Sequence, residues 1–341
     1  MKSPVPSSTL PARRPPAKSG RQSAGTILVT GGAGFIGSHL IERLLIDGKK
    51  VVVIDDFSTG SHENLRSLAK HPRLTVVCSK ISQCADLPKL AGRAEFIFHL
   101  AATVGVELVV KSALHVLEAS FHETQILLRA AARHGTPLLL TSTSEVYGKS
   151  TKPEFCEDDD LLIGPPGQSR WSYACSKLTD EFLALAYARE QNLPVVIARL
   201  FNTVGPRQTG RYGMVLPRFI AAAKGNEPLK VFGDGGQSRC FCLVHDVVEA
   251  LVRLQACEPA RGEIFNIGST EEVTILELAK LVVATLGSKS TIERIPYDQA
   301  YAPGFDDMRR RKPRVTKLHQ FVRYQPRTTL REIIKLTASG Q

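Results

Sequence analysis

The sequence predicts an α/β fold: a doubly wound parallel sheet of Rossmann type, followed by a smaller mixed α/β lobe. Three observations predict it. Short β-branched runs alternate with longer helical stretches as far as residue 200. A glycine-rich turn joins the first run to the first helical stretch. After Asn202 the alternation weakens, and short strands and helices mix. Strands that alternate with helices form parallel sheets covered on both faces.

The strands are read in order as Ile27–Thr30, Lys50–Asp55, Leu74–Val77, Phe96–Leu100, Pro137–Thr141 and Val195–Leu200. Each is a short, mainly apolar run, as expected for a strand of a covered parallel sheet. A helical pattern follows the glycine turn through Leu44 and Leu45, and further helices are expected near residues 107–134 and 171–191. Residues 25–201 then form a dinucleotide-binding domain. Residues 202–341 are mainly a substrate lobe, with some segments returning to the sheet. Ligands of open α/β sheets bind beyond the carboxyl ends of the strands, where such a lobe would close.

Residues 1–24 differ from the rest. They are rich in Pro, Ser and basic residues, and carry Lys2, Arg13, Arg14, Lys18 and Arg21 with no acid. Such a segment buries too little apolar surface to offset its ordering entropy, so disorder is expected. It lacks the apolar core of a secretory signal. An acid-free Ser/Arg composition is also a trait of transit peptides, but a solvated extension is the simpler reading. The tail supplies five of the eleven net positive charges. The remaining basic residues are scattered, and nothing resembles a nucleic-acid recognition helix.

No run of 18 apolar residues occurs, so no membrane span is expected. The seven cysteines are odd in number and include no C-x-x-C pair. That argues against a disulfide framework or a zinc site and for free thiols in a reducing cytoplasm. No metal is expected.

The turn reads Thr30-Gly31-Gly32-Ala33-Gly34-Phe35-Ile36-Gly37. Gly31 permits the tight turn, Gly34 a close backbone approach to pyrophosphate, and Gly37 close helix–strand packing. Phe35 and Ile36 open the helix whose free N–H groups face the phosphates. Asp55 ends the second strand. A carboxylate there accepts from both ribose hydroxyls and repels a 2′-phosphate, which favours NAD over NADP. Asp56 is the reserve candidate, with a turn role as the plainer reading. In His99-Leu100-Ala101-Ala102 the small Ala101 lets the chain pass near the cofactor, and His99 reads as a packed strand-end histidine.

Tyr173 and Lys177 stand four apart on a predicted helix, hence on one face. An ammonium beside a phenol favours phenolate and would lower the tyrosine pKa. The tyrosine could then take a proton from a substrate hydroxyl while hydride leaves. Thr143, Ser144 and Glu145 follow the fifth strand at the same sheet edge. A Thr or Ser there can hydrogen-bond the reacting hydroxyl, although strand-end capping uses the same residue types.

Across residues 25–335 the chain resembles an extended short-chain dehydrogenase/reductase of the NAD-dependent epimerase/dehydratase family. It is most similar to UDP-glucuronate decarboxylases, which include UDP-xylose synthase and half of a bifunctional aminoarabinose-pathway enzyme. The stretches that carry the resemblance are TSTSEVYG (141–148), RWSYACSK (170–177), RLFNTVGPR (199–207), DGGQSRCF (234–241) and YAPGFDDMRRRKP (301–313). The resemblance implies Tyr173 as base with Lys177 as its partner, and Ser144 and Glu145 near carbons 4 and 5 of the sugar. It implies Arg239 at the sugar carboxylate or as proton donor, and Asn202, Arg207 and Arg311 as holders of UDP. It also implies a homodimer formed through two helices.

Two stretches depart from the family pattern. Cys78-Ser79-Lys80-Ile81 stands where relatives usually have an Asp that contacts adenine. Ser120-Phe121-His122-Glu123-Thr124 replaces Asn-x-x-Gly-Thr. Three other readings stay open from sequence. A UDP-sugar 4-epimerase shares the Tyr-Lys pair, a 4,6-dehydratase resembles the Thr143-Ser144-Glu145 triplet, and a non-catalytic NAD-binding scaffold could use the same fold. The RWSY and RCF stretches favour decarboxylation.

Overall fold

A computed structural model describes residues 25–102, 113–208, 214–296, 299 and 308–340. The tail expected to be disordered lies outside them, as does the whole YAPGFDD stretch (301–307).

The apolar runs form strands β1 (Thr26–Thr30), β2 (Lys50–Asp55), β3 (Leu74–Cys78), β4 (Ala94–His99), β5 (Leu138–Thr143) and β6 (Val195–Leu200). They pair in the order β3-β2-β1-β4-β5-β6, every pairing parallel. The predicted doubly wound sheet is what folds. A segment from beyond residue 202 also returns to the sheet, at a position the sequence does not mark. Past β7 (Thr203–Val204), β8 (Leu229–Phe232), β9 (Ser238–Cys240) and β10 (Cys242–Leu243), strand β11 (Ile264–Ile267) returns to pair with β6 as the seventh member.

Side-chain alternation divides the core into two layers. Ile27 and Val29 face one layer with Leu40, Leu44, Val248 and Leu251, from helices Phe35–Ile46 and Val244–Gln255. Leu28 and Ile97 face the other with Leu127 and Ala184, from helices Ala113–Ala132 and Trp171–Gln191. A third cluster packs helices Val215–Gly225, Ile275–Leu286 and Leu330–Ser339 around β8. A fourth and smaller one gathers Val146, Tyr147, Phe155, Trp171 and Phe201. It underlies the loop after β5 and the start of helix Trp171–Gln191, so it anchors both halves of the candidate site.

The order of connection reverses between β1 and β4, and a crevice opens there at the carboxyl ends. The glycine turn follows β1 and Leu100–Ala102 follows β4. Among the described residues, no helix is long and apolar enough to cross a membrane.

Candidate active site

The glycine turn is shaped by contacts that leave no room for side chains. Gly31 has φ +73°, and a Cβ there would lie 2.6 Å from the Ala101 nitrogen. At Gly31 the two loops at the crevice therefore meet backbone to backbone. A Cβ on Gly37 would fall 2.2 Å from the Gly31 carbonyl oxygen, so Gly37 packs on the turn itself. The close helix–strand approach falls instead on Gly32, where a Cβ would meet Val53 at 2.7 Å and Ile41 at 2.8 Å. Gly34 faces open space apart from the Gly31 oxygen at 3.2 Å.

Among the described residues, no side chain caps the helix that begins at Phe35. Its first N–H groups are thus available to an anion, with the positive end of the helix dipole behind them. Asp55 is buried, and its carboxylate accepts from Ala33 N and Phe57 N, both at 2.8 Å. Burial raises its pKa despite those bonds. The bonds tie the carboxylate to the glycine turn and fix where its remaining lone pairs can act. Asp56 is exposed and accepts from the Ser58 amide and hydroxyl, which is a turn role. This uncapped, side-chain-free cradle with an acidic strand end fits NAD.

Across the crevice, Thr143 ends β5 and its hydroxyl accepts from Glu145 N at 3.2 Å. Ser144 is buried in the short 3₁₀ turn Ser144–Tyr147 that follows. Two buried arginines converge on the Glu145 carboxylate. Arg311 Nη2 stands 2.7 Å from Oε1 and Arg170 Nη2 stands 3.5 Å from Oε2. Arg170 opens the RWSY stretch that helps carry the resemblance, but nothing in that stretch points to a contact with Glu145. A lone arginine before a helix means little until the fold sets it against an acid.

The turn is braced from behind. Arg199 grips Glu181 through Nε at 3.0 Å and Nη2 at 2.8 Å, and Arg199 Nη1 donates to the Tyr147 hydroxyl at 3.0 Å. Tyr147 in turn donates to Asn266 on β11, and Ser142 donates to Glu181.

Tyr173 and Lys177 lie on one helix, but their electrostatics differ from the simple expectation. Lys177 Nζ donates to Asp180 Oδ2 at 3.0 Å, and both side chains are buried. Burial raises the Tyr173 pKa well above the ordinary value, and the negative charges of Glu145 and Asp180 raise it further. Lowering is therefore not what the chain's own groups produce: burial dominates, and the lysine is paired with Asp180.

His99 is packed as expected, between Thr30 Oγ1 at 2.7 Å and Thr124 Oγ1 at 3.0 Å. Burial and then the Lys177 charge lower its pKa to about 3. The two departing stretches meet, since Glu123 accepts from the amide and hydroxyl of Ser82, just past Ile81.

The remaining predicted residues divide. Arg239 is buried in β9, where Nη1 donates to the carbonyls of Ser238 and Arg309. It is thereby tied to the segment that carries Arg311. Asn202 donates to the Cys240 carbonyl and holds the same strand. Arg207 turns toward the first helix and pairs with Glu42 at 2.5 Å.

The family model described as "NAD dependent epimerase/dehydratase family" matches residues 27–268. The chain belongs to the NAD-dependent epimerase/dehydratase family. It is similar to a UDP-N-acetyl-alpha-D-glucosaminuronate decarboxylase of Bacillus cytotoxicus, 41% identical over 91% of this chain and 95% of the relative. It is also similar to UDP-glucuronic acid decarboxylase 2 of Arabidopsis thaliana, 37% identical over 91% of this chain and 66% of that one. Among solved structures it resembles UDP-glucuronic acid 4-epimerase of Bacillus cereus in complex with UDP-glucuronic acid and NAD. The TM-score is 0.82 at 29% identity, over 92% of this chain and 98% of that chain.

Proposed function

We propose that this protein is an NAD-dependent UDP-hexuronate decarboxylase, with UDP-glucuronate as substrate. The observation that carries the reading is that relatives similar over 91% of the chain are decarboxylases of UDP-linked uronic acids. The arrangement at the crevice suits the chemistry. NAD supplies the acceptor for the carbon-4 hydride. Tyr173 takes the hydroxyl proton, with Lys177 as its partner. Thr143 and Ser144 hydrogen-bond the same oxygen. The ketone that results is β to the carbon-6 carboxylate. When the carbon 5–carbon 6 bond breaks, carbon dioxide leaves and its electrons form an enolate at the carbon-4 oxygen. Donors already at that oxygen stabilise the enolate, as an oxyanion site does. Glu145, bracketed by Arg170 and Arg311, stands near carbon 5, which must then be protonated. Arg239 meets the carboxylate, where its rigid fork of donors suits carboxylate oxygens. Return of the hydride gives UDP-xylose, and release before that gives the 4-keto pentose.

The 41% identical relative favours a second reading, in which the sugar carries an N-acetyl group at carbon 2. The steps at carbons 4 to 6 are the same. Turnover of each UDP-hexuronate with NAD, followed by carbon dioxide release and product mass, tests both. Carbon dioxide from either substrate, lost in Arg239→Ala, is the expected result. Conversion of UDP-glucuronate to UDP-galacturonate at unchanged mass would overturn decarboxylation in favour of 4-epimerisation.

We also infer a homodimer built on helices Ala113–Ala132 and Trp171–Gln191. Leu114, Leu117 and Phe121 share one exposed face, and Phe182 is exposed on the adjoining helix. A cytoplasmic setting suits the seven free cysteines.

A further inference from the structure

We propose that Asp180, steadied by Ser120, is a positioning residue that holds the Lys177 ammonium and thereby sets how readily Tyr173 gives up and takes back its proton. The inference rests on the reading of Tyr173 and Lys177 as the proton-transfer pair.

Three side chains from two helices make the unit. Lys177 Nζ donates to Asp180 Oδ2 at 3.0 Å, and Ser120 Oγ donates to the same oxygen at 3.1 Å. Asp180 is 0% exposed, Lys177 2% and Ser120 9%. The other carboxylate oxygen, Asp180 Oδ1, is buried with no hydrogen-bond partner among the described residues. A buried, half-satisfied carboxylate is expensive for stability alone, since the unmet oxygen loses its hydration without replacement. Its place on the helix gives it a use. Tyr173, Lys177 and Asp180 lie at i, i+4 and i+7 on one face, with the lysine between the two acids.

Low dielectric lengthens the reach of these charges. With Asp180 ionised, Lys177 is one member of a neutral pair, and its pull on a Tyr173 phenolate is blunted. Without that charge, the ammonium faces Tyr173 uncompensated. Both effects of removing the carboxylate favour phenolate. Ser120, the first residue of the Ser120–Thr124 stretch, is the donor that one helix supplies to the Asp180 acceptor of the other.

The other charged groups around the unit come from three directions. Glu145, with Arg170 and Arg311 upon it, faces Tyr173 from the turn after β5. His99 faces Lys177 from the end of β4. Glu181, the next residue on the helix, is committed to Arg199. An Asp180→Asn change keeps the shape and removes only the charge, leaving those groups as they are.

The test is a tyrosinate absorbance titration of the full-length protein, with the matching Tyr173→Phe background subtracted, in wild type, Asp180→Asn and Asp180→Ala. In both Asp180 variants, Tyr173 should ionise about one pH unit lower. The acid limb of kcat on UDP-glucuronate should move the same way, with KM within about twofold. A merely structural aspartate would lower the melting temperature and leave both profiles in place, and that result would overturn the proposal. If wild type turns over neither UDP-hexuronate, the functional reading fails, yet the absorbance titration still decides the role of Asp180.

Discussion

At the scale of single residues, His99 shows how a side chain read as packing acquires an energetic signature. Its ring lies between two threonine hydroxyls with Lys177 nearby, and its pKa falls from 6.5 to about 3. The folded state therefore binds fewer protons than the unfolded chain between those values. Where the unfolded state holds more protons, stability rises with pH. The contribution is complete above about pH 6.5 and is lost as the pH falls toward 3. Urea midpoints should fall across that window by an amount worth several kcal/mol, since each pH unit between the two pKa values is worth about 1.4 kcal/mol. His99→Gln keeps a donor and an acceptor but cannot titrate, so its midpoints should vary less with pH. An equally steep dependence in the variant would assign acid sensitivity to other groups. The strand-end position of His99 is legible in the sequence, but nothing there announces the neighbours that govern its ionisation. Those neighbours come from β1, helix Ala113–Ala132 and helix Trp171–Gln191, far apart in the chain.

At the scale of elements, the six strands that alternate with helices were legible because each is a short, mainly apolar run set between helical stretches. Strand β11 was not. Ile264–Ile267 has only four residues, with the polar Asn266 inside it. Its burial is conferred by β6, and Asn266 is satisfied by Tyr147, Phe155 and Glu157. The same reasoning applies to the candidate active site. Tyr173, Lys177, Thr143, Ser144 and Glu145 could be picked out by spacing, but Asp180, Ser120 and Arg170 depend on contacts that no spacing encodes. The Arg199–Glu181 pair joins β6 to helix Trp171–Gln191 and, through Ser142 and Tyr147, to the turn that carries Ser144 and Glu145. Breaking a buried pair strands one charge in low dielectric. Glu181→Ala should therefore lose about 3–5 kcal/mol in denaturant unfolding. The double variant Arg199→Met/Glu181→Leu should recover most of that loss, since an apolar pair leaves no stranded charge. A double variant no more stable than Glu181→Ala would mean that the pair's geometry, rather than its charge balance, holds the elements together.

At the scale of the whole molecule, the helix that carries Tyr173 and Lys177 also presents an apolar surface. Its inner side packs on the sheet with helix Ala113–Ala132, and the outer side of the two leaves large side chains in water. Leu114 is 70% exposed and Phe182 64%, while Leu117 and Phe121 are each 38% exposed. Leu114, Leu117 and Phe121 recur at i, i+3 and i+7, one face of a helix. Apolar side chains gathered on one surface mark an interaction site more than scattered ones do. Two copies that meet on this surface would bury these side chains in a four-helix contact, with the same residues contributed by each copy. Aromatic anchors near the centre of such a contact carry much of its energy. Phe121→Asp/Phe182→Asp should therefore sediment as a monomer at concentrations where wild type is a dimer, with the helical circular dichroism unchanged. Because Tyr173 and Lys177 ride on the helix that the partner would brace, kcat of the monomer should fall more than its affinity for NAD. Wild type that sediments as a monomer at micromolar concentration would remove the dimer, and with it any reason for activity to depend on these phenylalanines.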